Sequence, residues 1–136
     1  MLKACAMKSS DIIDVPADTV LADQLRIDSL IEMANLTEAQ TGVPGTIFIS
    51  TAMGAHGPRV KYYVQPGRTQ PSFSVTISDN PIVAANSLPV RVVRQMAPRV
   101  IRWVSSNKDP LLDFWHNGDT WTQPQVSAFI AGLRRI

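Results

Sequence analysis

Alternation of apolar and polar positions is clearest in the middle of the chain. Over 72–78 it runs without a fault. Phe73, Val75 and Ile77 fall on one face and Ser72, Ser74, Thr76 and Ser78 on the other, the period of a strand with one buried and one wet side. The segment 59–64 repeats the pattern, with Val60, Tyr62 and Val64 on one face and Arg59, Lys61 and Tyr63 on the other. The stretch 46–51 is β-branched and aromatic, as strands favour. The connections, Gly54-Ala-His-Gly-Pro58 and 66–71, are short and rich in turn residues, so the three strands are expected to pair as an antiparallel meander.

Helical periods flank these strands. Val20, Leu21, Leu25, Leu30, Ile31, Met33 and Ala34 recur at mostly helical spacing, which predicts a helix over 17–40, open to a break near 26–28 and stopped by Gly42 and Pro44. Over 88–105, Val90, Val93, Met96, Ala97, Val100, Ile101 and Val104 fill one side of a helix. Arg91, Arg94, Arg99 and Arg102 fall on the opposite arc. Pro98 removes an amide donor, which predicts a kink or two shorter helices there. Asp109-Pro110 reads as an N-cap and first helical position, opening a short helix through Trp115 that Asn117-Gly-Asp119 ends. Thr122-Gln-Pro-Gln125 is a capping box before the apolar stripe of Val126, Phe129, Ile130 and Leu133, with Arg134 and Arg135 at the negative helix end. The fold class is therefore α+β: a three-stranded antiparallel meander packed by C-terminal helices, with an N-terminal helical arm. The arm spans 1–43 and the core 44–136, within one compact domain.

Composition narrows the class further. With 136 residues, 45% of them hydrophobic and 18% charged, the chain can bury a full core and is not collagen-like, disordered or a disulfide scaffold. The single cysteine, Cys5, has no internal partner, and the start of the chain lacks a signal-peptide apolar region. Together with the lack of any run of about 18 apolar residues, this predicts a cytoplasmic protein with no membrane span. The net charge of +2 is unevenly placed. Residues 1–40 carry seven acids and three bases, a net of −4, whereas 41–136 carry ten bases and four acids, a net of +6. A basic part of this kind suits an anionic partner, and an acidic part can dock on a basic surface of the same or another chain.

The arginine arc, Arg91, Arg94, Arg99 and Arg102, is the main candidate for chemistry, because no acid lies between Asp79 and Asp109 to neutralise it. Its alternatives are a solvated face or pairing with the acidic arm through Asp18, Asp23, Asp28 and Glu32. Arg59, Lys61 and Tyr63, beside the serine and threonine row of the next strand, form a polar sheet face suited to a nucleic-acid backbone and to stacking a base. The same residues also serve simply to keep a sheet face wet. Asp113 and His116, three apart on a helix, share a face, yet one histidine and one carboxylate are too few for a metal, and His116 is equally explained by the helix dipole. His56 lies in a glycine-bounded turn, and Cys5 is far from both histidines in sequence. Trp103, Trp115 and Trp121 are read as core anchors. Ile27-Asp28-Ser29-Leu30 matches a carrier-protein attachment box, but strand-like segments follow too soon for a helical carrier bundle. No catalytic residue, metal site or cofactor is assigned.

From Thr46-Ile-Phe-Ile-Ser, through His56-Gly-Pro58, Phe73-Ser-Val-Thr-Ile77 and Leu88-Pro89, to Asn107-Lys-Asp-Pro-Leu-Leu-Asp-Phe-Trp115, the order of features resembles a family of small uncharacterised bacterial domains. These domains are often encoded in toxin and antitoxin style gene pairs. The chain has Arg59 and Lys61 where that family tends to place histidines. The resemblance implies a partner protein, a nucleic acid, or both, and carries over no active site. The expected function is thus a non-catalytic binding or regulatory module of a bacterial cytoplasm. It would act on a protein or nucleic-acid partner through Arg59, Lys61, Arg91, Arg94, Arg99 and Arg102, with the N-terminal helix offering a route to homo-oligomers. Two alternatives stand beside it: an inhibitor whose acidic arm mimics nucleic acid or blocks a basic site on a target, and a small hydrolase or nuclease using Asp113 and His116.

Overall fold

The computed structural model describes residues 33–136, except 53–55 and 68. These residues form a five-stranded antiparallel sheet of order β1-β2-β3-β4-β5 with helices on one face. The strands are β1 (Met33–Leu36), β2 (Thr46–Ser50), β3 (Arg59–Tyr63), β4 (Ser72–Thr76) and β5 (Val83–Asn86). The expected meander is its centre, β2 to β4, and a strand is added at each edge.

Both added strands correct the sequence reading. Residues 33–36, expected in a helix over 17–40, pair with β2 in the register Ala34↔Ile49 and Leu36↔Ile47. Leu36 is buried, Ala34 half-buried, and Met33 and Asn35 are exposed, so the segment obeys a period of two. The segment 33–43, read as part of the arm, is thus built onto the core sheet; residues 17–32 lie outside the described residues. β5 was not foreseen. It pairs with β4 across a register shift at Ser74/Val75.

One helical turn, α1 (Glu38–Thr41), follows β1, with the Gln40 side chain accepting from the Thr37 N–H at 2.8 Å. Gly42 ends it at φ +83°, where a Cβ would collide with the carbonyl of Ile136. The Ile136 N–H donates to Thr41 O (2.9 Å), so the end of the chain is seated on this turn.

The three long helices are α2 (Val90–Ser106), α3 (Lys108–Asn117) and α4 (Gln123–Gly132). α2 is one continuous helix through Pro98, not two. Pro98 is exposed, so the carbonyl of Arg94 that loses its donor faces water instead of the core. Asn107, not Asp109, caps α3, and Asp109-Pro110 sits within its first turn. The capping box at α4 forms as expected: the Thr122 hydroxyl accepts from Gln125 N–H and the Gln125 side chain from Thr122 N–H. α4 ends at Gly132, so Arg134 and Arg135 lie beyond the helix whose dipole they were expected to complement.

The core lies between these helices and the sheet face that carries Leu36, Ile47, Ile49, Val60, Tyr62, Phe73 and Val75. Trp103, Val100 and Val104 of α2 are fully buried against it, and Phe114, Trp121 and Phe129 close one end with ring centroids 4.9 to 5.8 Å apart. Tyr62 stacks on its cross-strand neighbour Phe73 at 5.0 Å and donates its hydroxyl proton to Pro44 O at 2.6 Å. Burial, with a smaller contribution from Glu38, raises the Tyr62 pKa above the ordinary 10.0, against the lowering effect of Arg99. The folded state therefore holds this proton after the unfolded chain has released it. Its stabilising contribution is complete below pH 10 and declines as pH rises through 10 toward the folded-state value. Alkaline denaturation should become shallower over that window in Tyr62→Phe, at a cost of about 1 kcal/mol at neutral pH for the lost hydrogen bond.

Candidate functional site

The second face of the sheet carries the site. Because successive side chains of β3 alternate, burying Val60 and Tyr62 in the core sends Arg59 and Lys61 to the outer side. Register then fixes their neighbours. Lys61 stands between Phe48 of β2 and Ser74 of β4, and Ser74 stands opposite Ala85 of β5; Arg59 stands opposite Thr76. Two long cationic side chains thus adjoin two of the smallest side chains available, and the difference in height makes a hollow.

That hollow is a cleft of about 360 Å³, with His56, Arg59 and Lys61 on one side, Ser74 and Ala85 at its floor, and 86–87 with Ser72 on the other side. Its far wall is held by hydrogen bonds: Ser72 N–H donates to Ser87 Oγ (3.0 Å), Ser87 Oγ donates to Ser72 O (3.2 Å), and Leu88 N–H donates to Asn86 Oδ1 (2.8 Å). A smaller, mostly apolar recess of about 80 Å³ adjoins it, bounded by Phe48, Ser50 and Trp115 together with the same His56, Arg59 and Lys61. Trp115 is held at this end of the sheet by its carbonyl, which accepts from Ala52 N–H (2.9 Å) just past β2.

No carboxylate lines either hollow. The buried Nε of Arg59 has no hydrogen-bond partner among the described residues. A guanidinium, an ammonium, an imidazole and serine hydroxyls around one cavity are a donor-rich set that matches an oxyanion such as phosphate. Among the described residues no group of three His, Cys, Asp or Glu side chains could hold a metal.

Of the six basic residues expected to act together, the fold joins only Arg59 and Lys61. Arg91, Arg94, Arg99 and Arg102 are all exposed on α2, on the arc opposite its buried residues Ala97, Val100, Trp103 and Val104. Since α2 packs on the core face, the arc and the cleft lie on opposite sides of the two layers. Tyr63, expected to present a stacking ring on the wet face, is only 6% exposed between its cross-strand neighbours Thr46 and Ser72, so it is a packing residue. Asp113 and His116 are exposed, and Asp113 accepts from the Asn117 amide at 2.7 Å. The acidic-arm residues Asp18, Asp23, Asp28 and Glu32, with Cys5 and the box at 27–30, lie outside the described residues. Phe48, Ser50, Ala85, Asn86 and Ser87 are site residues that sequence reasoning missed; Trp115 borders the smaller recess but is 5% exposed, in keeping with its reading as a core anchor.

Comparison with family models, with curated proteins and with solved structures finds no match for this chain, so the function is read from the site's own geometry. Among the described residues no helix is long and apolar enough to cross a membrane.

Proposed function

We propose that this protein is a non-catalytic binding module that takes a phosphate-bearing strand, single-stranded RNA or DNA, on the outer face of its sheet. The observation that carries this reading is the Arg59 and Lys61 pair beside a carboxylate-free cleft of about 360 Å³. A backbone phosphate placed there meets charged donors and serine hydroxyls from several strands, and the half-buried Phe48 in the neighbouring recess gives an attached base an apolar contact. A sheet face with cations and a nearby aromatic is a common solution for single strands, whose bases are free to leave the stack.

The test is fluorescence anisotropy with a labelled short single-stranded oligonucleotide over a salt series. Arg59→Ala and Lys61→Ala should each weaken binding about tenfold and each flatten the slope of log affinity against log salt by about 0.7. Phe48→Ala should weaken binding and leave the slope unchanged, because it removes no charge. No binding by the unmodified protein at about 50 mM salt, or slopes indifferent to both basic residues, would overturn the reading.

A further inference from the structure

Arg91, Arg94 and Arg102 have no part in the cleft, and nothing among the described residues accounts for them. Helix α2 contains no acid, although an acid four residues from a base is the ordinary way to support an exposed helix face. Arg91 lies in the first turn, at the positive end of the helix dipole, where a cation is unfavourable. These placements weaken the helix in isolation. They become favourable when an external polyanion covers the face.

We infer that this face of α2 is a second nucleic-acid surface, and that one chain bridges two strands or segments. The inference rests on the reading of the cleft. Arg91, Arg94 and Arg102 are exposed along one stripe of the helix that spans about 16 Å, the length over which one strand of a duplex presents roughly five phosphates. The surface is convex and the other exposed members on and beside the stripe are Gln95, Pro98, Arg99 and Ser105, so it offers charge and no aromatic platform. It suits a backbone, read without regard to base. The cleft, with the half-buried Phe48 beside it, suits an unpaired strand. The helix packs on the core face while the cleft opens from the outer face, so a short oligonucleotide seated in one does not reach the other.

The experiment is a capture assay with the full chain. A single-stranded oligonucleotide is immobilised and loaded with protein, and a labelled short duplex is then passed over it. Arg91→Ala/Arg94→Ala/Arg102→Ala should retain binding to the immobilised strand within about twofold and reduce duplex capture at least tenfold, a loss expected when three phosphate contacts are removed. Arg99 is left in place because its charge is felt at the Tyr62 hydroxyl. Loading that depends on Arg59 and Lys61 with no duplex captured would overturn the bridging inference and leave the cleft reading standing. Capture that survives the triple substitution would also overturn it, since two clefts in a dimer would then be the bridge. Failure of the unmodified protein to load at all would overturn the cleft reading and this inference together.

Discussion

Replacing Asn107 with alanine is expected to lower the unfolding free energy by about 3 kcal/mol, from the two or three hydrogen-bonding groups it strands. Asn107 is 1% exposed at the junction of α2 and α3. Its amide donates to Trp103 O (2.9 Å) and to Arg134 O (3.0 Å), and its Oδ1 accepts from Arg134 N–H (2.7 Å). One side chain therefore closes the corner between two helices and fastens the segment after α4, whose last residue is in turn seated on Thr41. Alanine fills none of these roles. In thermal unfolding the loss should appear as a Tm lower by roughly 10 to 20 °C. Asn107→Asp provides the control that mere truncation does not. It keeps the acceptor for Arg134 N–H but sets a carboxylate against two carbonyl oxygens, so its folded-state pKa is raised. Its deficit should be largest at neutral pH and shrink as pH falls through that raised value, where the protonated acid can donate again. An alanine variant within about 0.5 kcal/mol of the parent, the ordinary range for a surface substitution, would show that the corner is held by packing alone.

The strength of that corner bears on what was legible in the sequence. Elements whose register of apolar residues is long enough to exclude a second period were readable: β4 by its unbroken alternation, α2 by its opposed apolar and arginine arcs, and α4 by its capping box. Met33-Ala-Asn-Leu36 has too few residues to separate a period of two from one of 3.6, and the helical spacing upstream drew it the wrong way. Its true state is decided by the open edge of β2, a tertiary partner that no local window contains. Val83-Ala-Ala-Asn has one β-branched residue and no aromatic, too little to mark a strand, and is one because β4 offers it an edge. The site divides in the same way. Alternation along β3 sends Arg59 and Lys61 outward together, and that much follows from sequence. The cleft does not, because it arises from Ser74 and Ala85 falling level across two strands, one of them unforeseen, beside a register shift. The helix arginines were readable as an exposed arc, but which side of the sheet they would occupy depended on how α2 packs.

Gly45→Ala should be nearly as damaging as the loss of Asn107, at about 3 kcal/mol, combining backbone strain with overpacking. Gly45 leads into β2 with φ +105°, a conformation that side-chain-bearing residues rarely adopt. The direction a Cβ would take is already occupied: Tyr62 Oη would lie 2.5 Å away and the backbone oxygen of Tyr63 2.8 Å away. Alanine must therefore push back β3 or rotate Tyr62 off its acceptor at Pro44, and β3 cannot yield without disturbing the register that sets Lys61 against Phe48. A double-mutant cycle with Tyr62→Phe isolates the hydroxyl's share, because it removes Oη and leaves the ring Cζ and the Tyr63 oxygen, each 2.8 Å from the Cβ position. The pair should be less destabilising than the sum of the single variants by about 1 kcal/mol, a coupling expected of residues in direct contact. Full additivity would place the penalty in the backbone conformation of Gly45 and in the obstacles that phenylalanine leaves in place. Because the displaced strand is the one that carries Arg59 and Lys61, the same alanine variant should also weaken oligonucleotide binding under conditions where it remains folded, whereas Asn107→Ala, on the far side of the core, should not.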